Sequence, residues 1–316
     1  MHPILFSLGS VVISSFGFFL SLAFISAVFV SWKLARIYDI NEEKILDLAI
    51  LTFFGGLIGA RIFFIATHLE LFDNFSSTIL VNRYHGLSFW GGLLGGILTL
   101  YLLVRRTKLN FWQIADFAAV SLLLGISLGD VGCFLGGCAY GITTNFPLAF
   151  SVVGLLEKRA PVSAVESFFA FFIFFYLFRA VKRFHFAGKI TALTFIILAI
   201  LKFTTEFWRG DNQFIPGLPA VSIGHLLSGL MLVSGILIFY YQSKRSFLFD
   251  LKMLTEILYS SKRRQVVLAS MQKTWYNFQI GRKVKIQKTL KVLTGLPKIL
   301  KRRFNVKSTP KHIIEN

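Results

Sequence analysis

Lys202, Glu206 and Arg209 close an apolar stretch at the spacing i, i+4, i+7. At about 100° per residue they fall within a roughly 60° arc of one helix face. Two cations and a carboxylate so placed admit two readings. One is a salt-bridged helix end that satisfies only itself. The other is a polar cavity in which cations hold a lipid phosphate and carboxylates move a proton. Four more ionisable residues interrupt apolar stretches: Arg61, Asp116, Asp130 and Glu166. A charge inside a membrane span is costly, which makes each a functional candidate by default.

The elements that must position these residues are membrane helices. The chain has 316 residues, 55% hydrophobic, with 36 Phe and only 16% charged residues. A soluble domain carries about a quarter charged residues. This composition excludes a disordered chain, a collagen-like chain and an ordinary soluble enzyme. Two Cys exclude a disulfide scaffold. A spanning helix needs roughly 20 mainly apolar residues. Seven stretches qualify: about Ser10–Trp32, Leu48–Thr67, Gly86–Val104, Phe111–Gly129, Val162–Leu177, Ile190–Trp208 and Leu218–Tyr241. The expected fold is an all-α polytopic membrane protein with seven transmembrane helices. The first 32 residues hold no Lys, Arg, Asp or Glu, so they lack the basic start of a cleaved signal peptide. The first stretch reads as a retained helix.

Lys and Arg in the loops set the orientation. With the N-terminus outside, 28 Lys/Arg fall in inside segments and 4 in outside loops. The C-terminus is then cytoplasmic. Span direction puts Arg61, Asp130, Glu166, Lys202, Glu206 and Arg209 in the outer half, and only Asp116 near the inner end. Residues 243–316 form a basic tail with 18 Lys/Arg against 3 Asp/Glu. Apolar residues at helical spacing (Leu251, Leu254, Ile257 and Leu258) alternate there with clusters such as Lys262–Arg264 and Lys301–Arg303. Such helices bind anionic lipid headgroups on the cytoplasmic face. Basic charge alone does not specify nucleic acid, and none is expected as a partner.

Glycines spaced by four, including Gly55/Gly59 and Gly91/Gly95, let helices approach closely in lipid. The dense run Gly125–Gly141 makes a poor plain helix. A broken end offering free backbone N–H groups to a phosphate is the expectation there. Cys133 and Cys138 are five apart, too far on a regular helix for a disulfide without distortion. They read as small packing residues, with a disulfide in a broken segment as the alternative. No His/Cys/carboxylate set has metal-ligand spacing, and no cofactor is expected. None of the six His pairs with an evident nucleophile.

Four stretches, in order, resemble the prolipoprotein diacylglyceryl transferase family over about residues 2–240. They are GGLIGARIFF (Gly55–Phe64), HGLSFWGGLLGG (His85–Gly96) with RRTKLNFWQIADF (Arg105–Phe117), GDVGCFLGGCAYG (Gly129–Gly141), and APVSAVE (Ala160–Glu166) with KFTTEFWRGD (Lys202–Asp211). The third is similar to a signature that usually begins Gly-Arg-Ile-Gly-Asn-Phe. Here Asp130 stands at its Arg, Cys133 at its Asn and Cys138 at a Glu. Trp90 and Ala160 stand where the family has His, Phe16 where it has Tyr, and Lys202 where it has Arg.

The resemblance implies a reaction. A diacylglyceryl group moves from phosphatidylglycerol to the thiol of a prolipoprotein's lipobox cysteine, and glycerol phosphate leaves. Such chemistry needs cations where phosphate charge develops and a base for the thiol. The resemblance implies Glu166, Glu206 and Asp130 as catalytic candidates. It implies Lys202, Arg209 and Arg61, with Gly132, Gly137 and Gly141, as candidates for holding the lipid phosphate. Partners would be phosphatidylglycerol and the prolipoprotein signal peptide, and the location the bacterial inner membrane. The alternative is a degenerate member of the same fold that binds lipid or lipoprotein without transfer.

Overall fold

The computed structural model describes residues 2–8, 11–69, 86–152, 154–183, 185–211, 214–215, 218–247 and 250. Among them are seven α-helices, one at each expected stretch: α1 (Ser15–Ile37), α2 (Glu42–Thr67), α3 (Phe89–Arg105), α4 (Phe111–Gly136), α5 (Val162–Ala180), α6 (Lys189–Glu206) and α7 (Ile223–Ser243). Five of them, α1, α2, α4, α5 and α7, are long and apolar enough to cross a membrane. Helix α3 is apolar but has 17 residues. Helix α6 has 18 residues and includes Lys189, Lys202 and Glu206.

The chain divides into two units, Met1–Arg245 and Ser246–Asn316. The basic helices expected in the tail lie, from residue 251 onward, outside the described residues.

Helix α4 is the central element of the first unit, packing on α1, α5 and α6. Its buried side includes Ile114, Phe117, Val120, Leu123 and Ile126. Polar stitches fix its register against two neighbours. Ser31 and Ser121 hydroxyls meet at 2.8 Å between α1 and α4. Further along α4, Ser127 Oγ donates to Ser167 O at 3.0 Å and Ser167 Oγ to Ser127 O at 2.7 Å, tying α4 to α5. In hydrocarbon such bonds leave no backbone or hydroxyl group for water to satisfy. Helices α2 and α3 pack through their glycines: a Cβ on Gly59 would lie 2.6 Å from Gly91 O and 2.8 Å from Gly95 Cα.

The sequence expectations fail at the span ends. Val11–Ser14, expected within the first helix, is strand β2, paired antiparallel with β1 (Ile4–Leu8). The β-branched run Val11–Ile13 suits a strand. Ser14 then caps α1, accepting from Gly17 N at 3.2 Å. Leu218–Ser222, expected in the last span, is strand β6, paired with β5 (Phe214–Ile215), with β3 (Phe150–Ser151) and β4 (Lys158–Arg159) making another hairpin between α4 and α5.

Candidate active site

The C-terminal ends of α4 and α6 and the N-terminal end of α5 meet where the sequence gathers its charges. Glu166, on the first turns of α5, is 1% exposed, and Lys202, near the end of α6, is 6% exposed. Lys202 Nζ donates to Glu166 Oε2 at 2.7 Å. The hydroxyl of Thr205, one turn after Leu201 on the same helix, donates to Glu166 Oε1. Lys202 Nζ also stands 4.5 Å from the centre of the Phe89 ring, a favourable site for a cation. The i, i+4 spacing suggested Glu206 as the partner that orients Lys202. The hydrogen bond runs instead across the helix interface to Glu166, which the sequence spacing of α6 cannot reveal.

Arg209 lies just beyond α6. Its Nε and Nη2 donate to the two carboxylate oxygens of Asp211 at 3.0 and 2.9 Å, a planar two-bond clamp. Glu206 Oε2 is 3.9 Å from Arg209 Nε. Burial opposes the charge on Arg209, but Asp211, Glu206 and Glu166 together raise its pKa. Glu206 Oε1 accepts from the hydroxyl of Ser222, the N-cap of α7, at 2.7 Å. The carboxylate is seated on the first turn of α7: a Cβ on Gly224 would come within 2.1 Å of Glu206 Oε1.

Asp130, on the last turns of α4, feels the charges of Lys202, Glu166 and Arg209. Its Oδ2 is shielded and has no hydrogen-bond partner among the described residues. The fully buried Ser163 Oγ likewise lacks one. Ser163 lies one turn nearer the start of α5 than Ser167, and Asp130 one turn nearer the end of α4 than Ser127, so the Ser127–Ser167 register carries both to the same end of the α4–α5 interface. Arg61 belongs to the α2–α3 junction, with Nη1 donating to Gly86 O at 3.3 Å.

The loops above these helix ends interlock. Gly141 and Arg209 form an antiparallel bridge, as do Thr143 and Arg159. Gly141 N donates to Ala160 O at 3.1 Å and Ile142 N to Trp208 O at 2.9 Å. Residues 140–144 thus run between the chain entering α5 and the chain leaving α6. A Cβ on Gly141 would lie 2.6 Å from Ala160 O and 2.9 Å from Trp208 O, so only glycine fits.

The expected phosphate cradle of free N–H groups at Gly132, Gly137 and Gly141 is not formed. Helix α4 runs unbroken to Gly136, because Gly132 and Gly136 are where α1 approaches: a Cβ on Gly132 would lie 2.6 Å from Phe19 Cβ. Gly137 takes φ 85° and ends the helix, and its N–H donates to Cys133 O at 2.9 Å. Gly141 N is held by Ala160. A helix C-terminus also presents carbonyls rather than N–H groups. The same left-handed turn corrects the reading of the cysteines. It folds Cys138 back over the last turn, bringing the Cα atoms of Cys133 and Cys138 to 4.9 Å, and the two are disulfide-bonded.

Asp116 is at the other end of α4. It accepts from Gly188 N at 2.9 Å and from Thr191 N and Oγ1 at 2.7 Å, capping α6, and pairs with His185 Nε2 at 3.3 Å. It is an anchor for α6 rather than a member of the cluster around Lys202.

Two groups escaped the sequence reading: Ser222 and His225. Ser222 Oγ accepts from His225 N at 3.2 Å and lies 2.9 Å from His225 Nδ1. The signal was available as Ser-x-x-His at the head of an apolar run, the spacing of a capping box.

Residues 3–241 match the family model described as prolipoprotein diacylglyceryl transferase. The chain is 28% identical over 241 residues to the phosphatidylglycerol–prolipoprotein diacylglyceryl transferase of Finegoldia magna, covering 75% of this chain and 94% of that protein. It is 28% identical over 249 residues to the enzyme of the same name from Clostridium tetani, covering 76% and 97%. It is 30% identical over 233 residues to a second transferase of that name from Clostridium perfringens, covering 72% and 90%. The match runs from before α1 into the last turn of α7 and takes in the candidate residues from Arg61 to Arg209, and on that extent the chain belongs to the prolipoprotein diacylglyceryl transferase family.

Proposed function

We propose that this protein transfers a diacylglyceryl group from phosphatidylglycerol to the lipobox cysteine thiol of a prolipoprotein, as a multi-pass enzyme of the bacterial inner membrane. The observation that carries the reading is the joining of Glu166, Lys202, Asp130, Glu206 and Arg209 at the ends of α4, α5 and α6. These ends lie in the outer leaflet when the N-terminus is outside and all seven helices cross. The Lys/Arg asymmetry supports that orientation. So does the disulfide at the end of α4, because disulfides persist in the oxidising periplasm.

Lys202 and Arg209 receive the lipid phosphate, competing with Glu166 and Asp211 for the two cations. Arg61 adds positive charge at the α2–α3 junction. Glu206 holds Arg209 and α7, Asp130 is a further carboxylate at the reacting centre, and Gly132, Gly137 and Gly141 set the close packing around it. Thiolate attack forms the S–C bond at the glyceryl carbon and breaks the C–O bond to phosphate. Cations at the phosphate stabilise the charge that develops on the leaving group. The tail, 243–316, lies on the cytoplasmic surface against anionic lipid headgroups.

Expression in cells depleted of their own transferase tests the reading. Restored growth and lipoprotein maturation support it. Correct membrane insertion with no rescue favours the alternative, a member of the fold that binds lipid or lipoprotein without transfer.

A further inference from the structure

The disulfide ties the last turn of α4 to the segment that holds Arg209. Cys133 lies within α4 and is half-buried, whereas Cys138, one residue past the Gly137 turn, is exposed. Only Ala139 and Tyr140 separate Cys138 from Gly141. Tyr140 O accepts from Gly210 N at 2.9 Å, and Ile142 N donates to Trp208 O at 2.9 Å. Gly141, between them, bridges Arg209 itself. The neighbours of Arg209 on both sides are thus bonded to residues two and four positions after Cys138. The contact is backbone on backbone: a Cβ on Gly210 would lie 2.4 Å from Gly141 O.

The turn between the two cysteines and this bridge is held against its own preference. Gly137 has φ 85° and Ala139 φ 49°. Glycine takes such a conformation at little cost, but alanine seldom does. A left-handed alanine persists only where its surroundings hold it. Ala139 is held from both sides, by the S–S bond at Cys138 and by the Tyr140–Gly210 hydrogen bond. Opening the S–S bond leaves the α4 side of the turn with the bonds from Gly137 N and Cys138 N to Cys133 O, at 2.9 and 3.0 Å. Ala139 is then free to leave the left-handed region, and the chain that follows it carries the bridge to Arg209.

We propose that the Cys133–Cys138 bond is an exchangeable lock that positions Arg209 for the lipid phosphate, so that a dithiol weakens lipid binding by opening it. The proposal rests on the transferase reading. One thiolate of the dithiol attacks Cys138 Sγ, the sulfur of the more exposed cysteine. The S–S bond breaks, and Cys133 Sγ leaves with the electron pair and takes a proton. The second thiolate of the dithiol then attacks the mixed disulfide and releases Cys138, which is protonated in turn. Two electrons and two protons pass to the protein, and the dithiol is left as a disulfide. The reverse exchange, with an oxidised dithiol, closes the lock. Arg209 keeps its charge throughout, and what changes is whether its two-bond fork stands where a phosphate can replace Asp211.

The test measures transfer to a lipobox peptide by the full chain in mixed micelles of phosphatidylglycerol and detergent. Wild type is compared oxidised, reduced with dithiothreitol and reoxidised, beside the Cys133→Ser/Cys138→Ser double variant with and without dithiothreitol. The variant controls for any effect of the reductant on the peptide. Reduction of wild type should raise the KM for phosphatidylglycerol by about tenfold, the worth of one hydrogen bond to a charged group, with kcat nearly unchanged. Reoxidation should restore it. The double variant should show the raised KM in both conditions. In Arg209→Lys, which lacks the fork, reduction should add little to a KM already raised. A disulfide that dithiothreitol leaves intact in the folded protein would overturn the proposal. So would a reduced wild type with an unchanged KM, including one that only unfolds at a lower temperature, and so would an equal rise in KM in Arg209→Lys. An oxidised wild type that transfers nothing would instead overturn the transferase reading, and this proposal with it.

Discussion

Glu166 Oε2 and Lys202 Nζ meet at 2.7 Å across the α5–α6 interface, one residue 1% and the other 6% exposed. Breaking a buried pair by removing one partner typically costs about 3–5 kcal/mol, because a charge is left without compensation. Lys202→Ala and Glu166→Ala should each lower the unfolding temperature in detergent markedly. The double substitution Lys202→Met/Glu166→Leu should cost less than the sum of the two. Additive losses would show that the pair is not coupled. Lys202→Arg, which keeps the charge and adds a planar fork, should retain or raise transfer.

Two glycines of the signature should answer differently to alanine. A Cβ on Gly129 meets nothing within 4 Å, whereas one on Gly141 collides with backbone oxygens on two sides. Gly129→Ala should leave the protein folded and stabilise α4 by roughly 0.5–1 kcal/mol. Gly141→Ala should separate the interlocked loops and abolish transfer. Thermal unfolding and the transfer rate, measured on both variants, check the contrast. Equal behaviour would contradict the packing described for Gly141.

The disulfide gives the orientation a chemical readout. Cys133 and Cys138 are the chain's two cysteines, and they are bonded to each other. In intact cells a thiol-reactive label should fail to react until a membrane-impermeant reductant is added outside. A C-terminal reporter active only in the periplasm should stay silent, and truncation after Ser243 should still insert. Labelling without reductant, or an active reporter, would contradict the orientation.

At the opposite end of the bundle, His185 carries a pH dependence of stability. Its hydrogen bond to Asp116 raises its pKa, against a smaller opposing effect of burial. A raised pKa means the folded state holds the proton more tightly than the unfolded chain does. The stabilisation is complete below the ordinary histidine range and is lost as pH rises through the raised folded value. Unfolding temperature should therefore fall across that interval, and His185→Gln should flatten the decline. Asp116→Ala should cost more at every pH, by about 0.5–2 kcal/mol for the α6 cap alone.

The helices were legible because hydropathy and length decide spans, and every expected stretch contains one. Their ends were not. The left-handed turn at Gly137, the strand before Ser14 and the strand before Ser222 depend on local capping and pairing that a sliding apolar window averages away. That the charges gather at one end of the bundle was legible from the alternation of span direction. The partner of Lys202 was not, because the pair joins residues 36 apart in sequence on two helices. His225 was hidden for the same reason: its link to Glu206 passes through a serine on another element.

The most direct measurement of the central claim takes the purified full chain with phosphatidylglycerol and a lipobox peptide, and follows the peptide by mass spectrometry and the released glycerol phosphate by enzymatic assay. The expected result is a diacylglyceryl thioether on the peptide's cysteine and one glycerol phosphate released for each adduct. A peptide that binds but stays unmodified, with no glycerol phosphate released, would contradict transfer by this protein.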